Sequence, residues 1–221
     1  MDWKRAIEIN QTALSRIVAG LIAMVGIVSG GRIPKPLYRA VLRVLHPAEA
    51  AVRRLIVIAA RGLTVDLSPP RPMPKGLALA GKAGGRVSFQ LFDSRKQFNR
   101  TRRTAPRVEP RIHFFDVSPL VPLFQPRPFE TPAPARDDSI DATRLTRRLA
   151  AIKMALETLP RQAKRLARWK ARRAKMPSPK FTSPLRPGPP PGNRRMAREE
   201  VDFVLLECHA LAWDALKEDT S

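Results

Sequence analysis

"TALSRIVAGLIAMVGIVSGG" (12–31) carries one charge, Arg16, in twenty residues. Its last fifteen residues, 17–31, carry none. A helix that is apolar all round must bury its surface in protein or in lipid. Fifteen helical residues rise only about 22 Å, short of a hydrocarbon core of about 30 Å. Twenty reach about 30 Å, with Arg16 near one end, where a long side chain can snorkel to headgroups. Both readings stay open: a membrane helix, or a core helix of a soluble bundle. The helix itself is predicted over 2–31, with Asp2 as cap or first-turn acid. Trp3, Ile7, Leu14, Leu21 and Val28 mark one face. Ala19, Ala23, Gly26 and Gly30 form a small-residue stripe, of the sort that admits a second helix in lipid.

Lys/Arg bias gives the expected orientation. Lys4, Arg5 and Arg16 precede the apolar core, whereas Arg32, Lys35, Arg39 and Arg43 follow it closely. A spanning segment would therefore leave the C-terminal part in the cytoplasm of a bacterial cell, with the inner membrane as the site. A signal peptide fits less well, because the leading segment carries Asp2 and Glu8 and no A-x-A site follows.

Beyond Gly31, "GGRIPKP" (30–36) breaks the chain. Two short basic helices are then predicted, 37–45 and 48–63, parted at His46-Pro47 and stopped at Gly62. They read as helices lying on an interface or packing back on the first.

Proline sets the rest of the layout. Twelve of the 23 prolines lie between Pro69 and Pro134, and seven between Pro177 and Pro191, so neither tract can be regular helix or central strand. Within the first tract, "RVSFQLFD" (86–93) and "RIHFFDV" (111–117) stand out as strand-like islands that could pair or add to a partner's sheet. Residues 137–176 read as a long helix. Leu145, Leu149, Ile152, Leu156, Leu159, Ala163 and Leu166 make a heptad seam, with Pro160 kinking or dividing it. Residues 197–217 form a last amphipathic helix on Val201, Leu205, Cys208, Ala212 and Leu216. That stripe is expected to cover the heptad seam or a partner protein.

The expected fold class is mostly α: separate amphipathic and apolar helices joined by long proline-rich disordered linkers, with no large single core. The divisions are an N-terminal membrane-associated module (1–63), a linker with two islands (64–136), the heptad and basic helix (137–176), a second linker (177–196) and the C-terminal helix (197–217).

Chemistry-bearing motifs are few. Cys208 and His209 are adjacent, so on a helix they point about 100° apart and cannot share a reacting centre. One cysteine and three histidines do not furnish a structural zinc site. Asp137, Asp138 and Asp141 suit the N-terminal dipole of the helix that follows better than a cation. Gly81, Gly84 and Gly85 lack the Lys-Ser/Thr of a phosphate loop. The expectation is a protein without catalytic, cofactor or metal residues.

The strongest signal is "RQAKRLARWKARRAK" (161–175). Eight of its fifteen residues are Lys or Arg and none is acidic, in a chain of net charge +22. Ordinary solvated faces mix the two signs. Arg161, Lys164, Arg165, Arg168, Lys170, Arg172, Arg173 and Lys175 are the expected polyanion-binding residues. Trp169 stands among them as an anchor for a base or a lipid interface. The partner is an anionic lipid surface or nucleic acid. The two function classes that follow are a non-enzymatic adaptor tethered to a membrane and a soluble nucleic-acid-binding protein.

The segments "MDWKRAIEINQTALSRIVAGLIAM", "HPAEAAVRRLIVIAARGL", "SFQLFDSRKQF" and "LPRQAKRLARWKARRA" together resemble an uncharacterised family of small basic proteins from alphaproteobacteria. The resemblance is one of layout. It implies a bacterial source and inner-membrane association, and assigns no activity to any residue.

Overall fold

The computed structural model describes residues 2–26, 31–67, 88–93, 139–175 and 183–218. Among them are five helices: α1 (Trp3–Gly26), α2 (Lys35–Ala59), α3 (Thr143–Glu157), α4 (Leu159–Ala174) and α5 (Glu200–Glu218). Two three-residue strands, β1 (Arg32–Pro34) and β2 (Ser139–Asp141), pair antiparallel with Ile33 opposite Ile140. The protein is mostly α, as its sequence predicts.

α1 buries Leu14, Val18, Leu21 and Val25, a stripe of 4-3-4 spacing, and leaves its other faces outside. It packs on α2, α3 and α5. Side-chain hydrogen bonds fix its first half. Asn10 Nδ2 donates to Glu207 Oε1 of α5 at 3.1 Å, and Gln11 Nε2 donates to the Leu156 carbonyl of α3 at 2.8 Å. Arg16 pairs with Glu200 at the start of α5.

The expected division of 37–63 at His46-Pro47 does not occur: α2 runs unbroken through Pro47. Proline inside a helix costs about 3 kcal/mol or more, through a lost N–H bond and a ring clash. The carbonyl left over, that of Arg43, accepts a hydrogen bond from Arg194 Nη2 at 3.1 Å. Arg194 is itself held by Glu199 at 2.8 Å and by Asp202 at 3.2 Å. Gly192, at φ +82°, lies so close that a Cβ there would sit 2.6 Å from the Pro47 nitrogen. Residues remote in sequence therefore repair the helix at its weakest point.

Of the two readings of this stretch, α2 follows the second: it packs back on α1 and is not a surface helix. Residues 50–58 are all buried, Arg53 and Arg54 included, because α1, α4 and α5 pack around them. The C-terminal helix was expected on the heptad seam, but it makes its main contacts with α2 and smaller ones with α1. The α2 run "AAVRRLIVIAA" offers apolar groups on every side and so accepts several helices at once. All seven seam residues from Leu145 to Leu166 are buried, and the helix divides at Thr158, just before Pro160. The seam faces α1 and α2.

The strand expected at 86–93 does not form in its described part. Residues 88–93 are extended without a ladder, yet the alternation is real, since Phe89, Leu91 and Asp93 are buried and Gln90 is exposed. The island at 111–117 lies outside the described residues. Pairing occurs instead at 32–34, inside the stretch read as a break, where Ala142 N–H donates to the Gly31 carbonyl at 2.8 Å. Just ahead of α3, Asp141 Oδ1 accepts from the Thr143 hydroxyl at 2.6 Å and from the Thr143 N–H at 2.8 Å. Those bonds, the hydroxyl one first, hold its carboxyl below the usual value. Residues 183–199 form neither helix nor strand. They lie against the core, with Leu185 fully buried.

Candidate anion-binding face and a buried charge network

α4 turns Leu159, Ala163, Leu166 and Ala167 inward, which decides what faces out. Arg161, Lys164, Arg165, Arg168, Arg172 and Lys175 are exposed. Arg161, Arg165, Arg168, Arg172 and Lys175 follow 4-3-4-3 spacing, so they form one stripe, with Lys164 beside it. Among the described residues no carboxylate pairs with Arg161, Lys164, Arg168, Arg172 or Lys175.

The remaining members of the block do other work. Arg165 Nη1 donates to the Phe89 carbonyl at 3.0 Å. Trp169 is half-buried against Phe92, with ring centroids 4.9 Å apart, and the Arg173 guanidinium lies 5.6 Å from its centroid. Lys170 is half-buried as well. Trp169 is thus an anchor for residues 88–93, and its ring is not presented outward as an aromatic platform. Sequence spacing assigned it to the charged face because its inward partner, Phe92, is seventy-seven residues away.

A second constellation went unread in the sequence. Arg54 has no exposed surface. Its Nη2 donates to Asp93 Oδ2 at 3.1 Å, its Nη1 to the Ala50 carbonyl at 2.9 Å, and its Nε to His209 Nδ1 at 3.1 Å. Arg53 Nη1 donates to Asp93 Oδ1 at 3.4 Å and Nε to the Gln90 carbonyl at 3.1 Å. Glu49, 3.6 Å from Arg53, accepts two bonds from Arg148, at 2.8 and 2.9 Å, and Arg148 also reaches His46 Nδ1 at 3.3 Å. The chain of contacts runs from α3 through α2 and residues 88–93 to α5.

Burial lowers the Arg54 pKa, and the Asp93 carboxylate works against that. Guanidinium stays charged regardless, so each histidine nitrogen facing an arginine must accept, and both rings are neutral in this arrangement. Burial, then the neighbouring arginine, lowers the pKa of His46 and of His209. Cys208, fully buried, is pushed up to about 12 by desolvation. Its thiol stays protonated, which removes the thiolate that a nucleophile needs. The sequence hint for this network was a paired Arg53-Arg54 inside an otherwise apolar run. Its partner Asp93 is forty residues on, within a segment lacking regular structure.

Comparison with family models, curated proteins and solved structures finds no match to this chain.

Proposed function

We propose that this protein is a non-enzymatic adaptor that docks on an anionic membrane surface through the outer face of α4. The observation that carries the reading is the stripe of exposed cations, Arg161, Lys164, Arg168, Arg172 and Lys175, which have no carboxylate partner among the described residues while the opposite face of α4 is locked in the core. Lys and Arg held near an anionic leaflet contribute about 1 kcal/mol each. The ends of the same charged face lie about 21 Å apart along the helix, the rise of fourteen residues, so several headgroups can be met at once.

α1 supports lipid over nucleic acid. It is long and apolar enough to cross a membrane by length and composition. Its outer face from Ile17 to Gly26 has no charge, and Ile22 and Met24 are exposed. Because Asn10, Gln11 and Arg16 tie α1 to α3 and α5, α1 binds in the interface plane as part of its bundle. The bacterial inner membrane, with the charged face on the cytoplasmic side, fits the layout resemblance noted above. A partner protein for the adaptor has an apolar handle in Phe203 and Leu206, exposed on α5.

The nucleic-acid reading keeps the phosphate contacts and loses the stacking ring, since Trp169 is engaged with Phe92. Sedimentation of the full chain with phosphatidylglycerol vesicles and with phosphatidylcholine vesicles tests the proposal. Expected is binding to the anionic vesicles alone, weakening steeply with salt, and lost on Arg161→Gln, Lys164→Gln, Arg168→Gln and Arg172→Gln together. Binding to RNA but to neither vesicle would replace the proposal with the nucleic-acid reading.

A further inference from the structure

Outside the α4 face, α1 and α3 leave a trough between them. Two clefts, of about 330 and 420 Å³, adjoin at Ile22 and Lys153. Each is of the size of a small-ligand pocket. The helices run antiparallel along it, with Ser15 and Glu157 at one end and Gly26 and Ala142 at the other. Both floors are apolar, built on α1 by Val18, Val25 and the exposed Ala19 and Ala23, and on α3 by Leu149 and Leu156. Short side chains on α1 keep the trough open.

Three observations select an occupant. From Ser15 to Gly26 is eleven residues, a rise of about 16 Å, which is close to half a hydrocarbon core of about 30 Å, the depth of one leaflet. The Lys153 ammonium stands at the junction of the clefts, 62% exposed, in a long exposed pair at 3.9 Å with Glu157, which lines the first cleft only. The chain carries net charge +22, which concentrates anionic amphiphiles around it. We infer that the α1–α3 trough holds one acyl chain of an anionic membrane lipid, with Lys153 meeting the headgroup phosphate. An acyl chain needs no hydrogen bonds, which suits a lining that is mainly aliphatic, with Ser15, Thr146, Lys153 and Glu157 as its polar side chains. A polar peptide would leave its backbone groups unsatisfied there.

The site stands apart from the α4 face, and the test separates the two. The full chain is titrated with monomeric lysophosphatidylglycerol, lysophosphatidylcholine and a free fatty acid, and binding is followed by calorimetry. Saturable binding of lysophosphatidylglycerol at one site per chain is expected, with weaker binding of the zwitterionic lipid and of the fatty acid. Ala23→Trp, at an exposed position where the indole fills the trough without entering the core, should weaken that binding at least about tenfold, a change of about 1.4 kcal/mol. Helix content and melting temperature should stay unchanged. Lys153→Glu should cost several-fold for the anionic lipid and little for the zwitterionic one. The four-residue α4 variant should keep lysophosphatidylglycerol binding even where vesicle binding is lost. Undiminished binding by Ala23→Trp with normal folding, no saturable site, or tighter binding of the free fatty acid than of the lysolipid would each overturn the assignment.

Discussion

α2 and α4 both carry adjacent arginines, and the fold treats them in opposite ways. In α2, Arg53 and Arg54 lie at 7% and 0% exposure with Asp93 between their guanidinium groups. In α4, Arg172 is exposed on a face that no described carboxylate approaches. The difference lies in what surrounds each pair. Arg53 and Arg54 sit among "AAV" and "LIVIAA", so burying the helix takes them inside, and each must then be neutralised. The α4 cations flank a narrow stripe of Leu and Ala, so one face is buried and the charges stay in water. Charge density alone points to α4 as functional, but it says nothing about α2, where charge holds elements together.

The comparison breaks most visibly at Arg54. Arg54→Met should destabilise the protein by about 3–5 kcal/mol, because Asp93 then keeps its burial with Arg53 as its one remaining cation and the Arg186 N–H as its other donor. Urea unfolding of the single variant and of Arg54→Met with Asp93→Leu measures this. The double variant should recover much of the loss, since an apolar pair replaces a stranded carboxylate. A small effect of the single variant would place Asp93 in water.

Next in size is the repaired proline. Gly192→Ala should cost about 1–3 kcal/mol from its left-handed backbone alone, and the contact with Pro47 adds to that. Amide exchange should rise locally on either side of Pro47 in α2. Exchange that rises uniformly instead would show that α2 does not depend on the loop for its continuity.

Legibility in the sequence followed the range of the interactions. The seven seam positions of 145–166 and the exposure of six of the eight α4 cations depend on helical periodicity and are where spacing places them, while the division before Pro160 is one of the two outcomes its ring allows. The continuity of α2 was illegible because Arg194, which satisfies the Arg43 carbonyl, is 151 residues away. The inward turn of Trp169 and the burial of Arg54 were illegible for the same reason, since their partners Phe92 and Asp93 sit in a short segment that has no regular structure. The α1 stripe was read correctly at Leu14 and Leu21. What covers it, α2, α3 and α5, needed the tertiary structure.

Acid sharpens the contrast further. The folded pKa values of His46 and His209 both lie below 6.5, chiefly through burial. Well above the ordinary histidine pKa of about 6.5, both rings are neutral in the folded and unfolded chain, and their contribution to stability is complete. As pH falls below that, the unfolded chain takes up protons that the folded one refuses, so stability declines toward the lowered folded values. Melting temperatures at about pH 7.5 and about pH 5.5 should show the drop, on top of any general acid effect. His46→Gln with His209→Gln should flatten that part of the profile. An unchanged slope would mean that neither ring is held against its arginine in solution.

The smallest effect is expected on α4, and it is the most informative for function. Arg168→Gln with Arg172→Gln removes two exposed cations that have no described partner. Surface substitutions of this kind stay within about 0.5 kcal/mol. The sign should be slightly stabilising, because the variant relieves repulsion within a chain of net charge +22. Thermal unfolding at low and at high salt checks it: the variant should gain at low salt, and the gain should vanish as screening removes the repulsion. A destabilisation comparable with that of Arg54→Met would mean that α4 holds its charges against a carboxylate, as α2 does. The face would then be structural, and the case for a docking surface would fall with it.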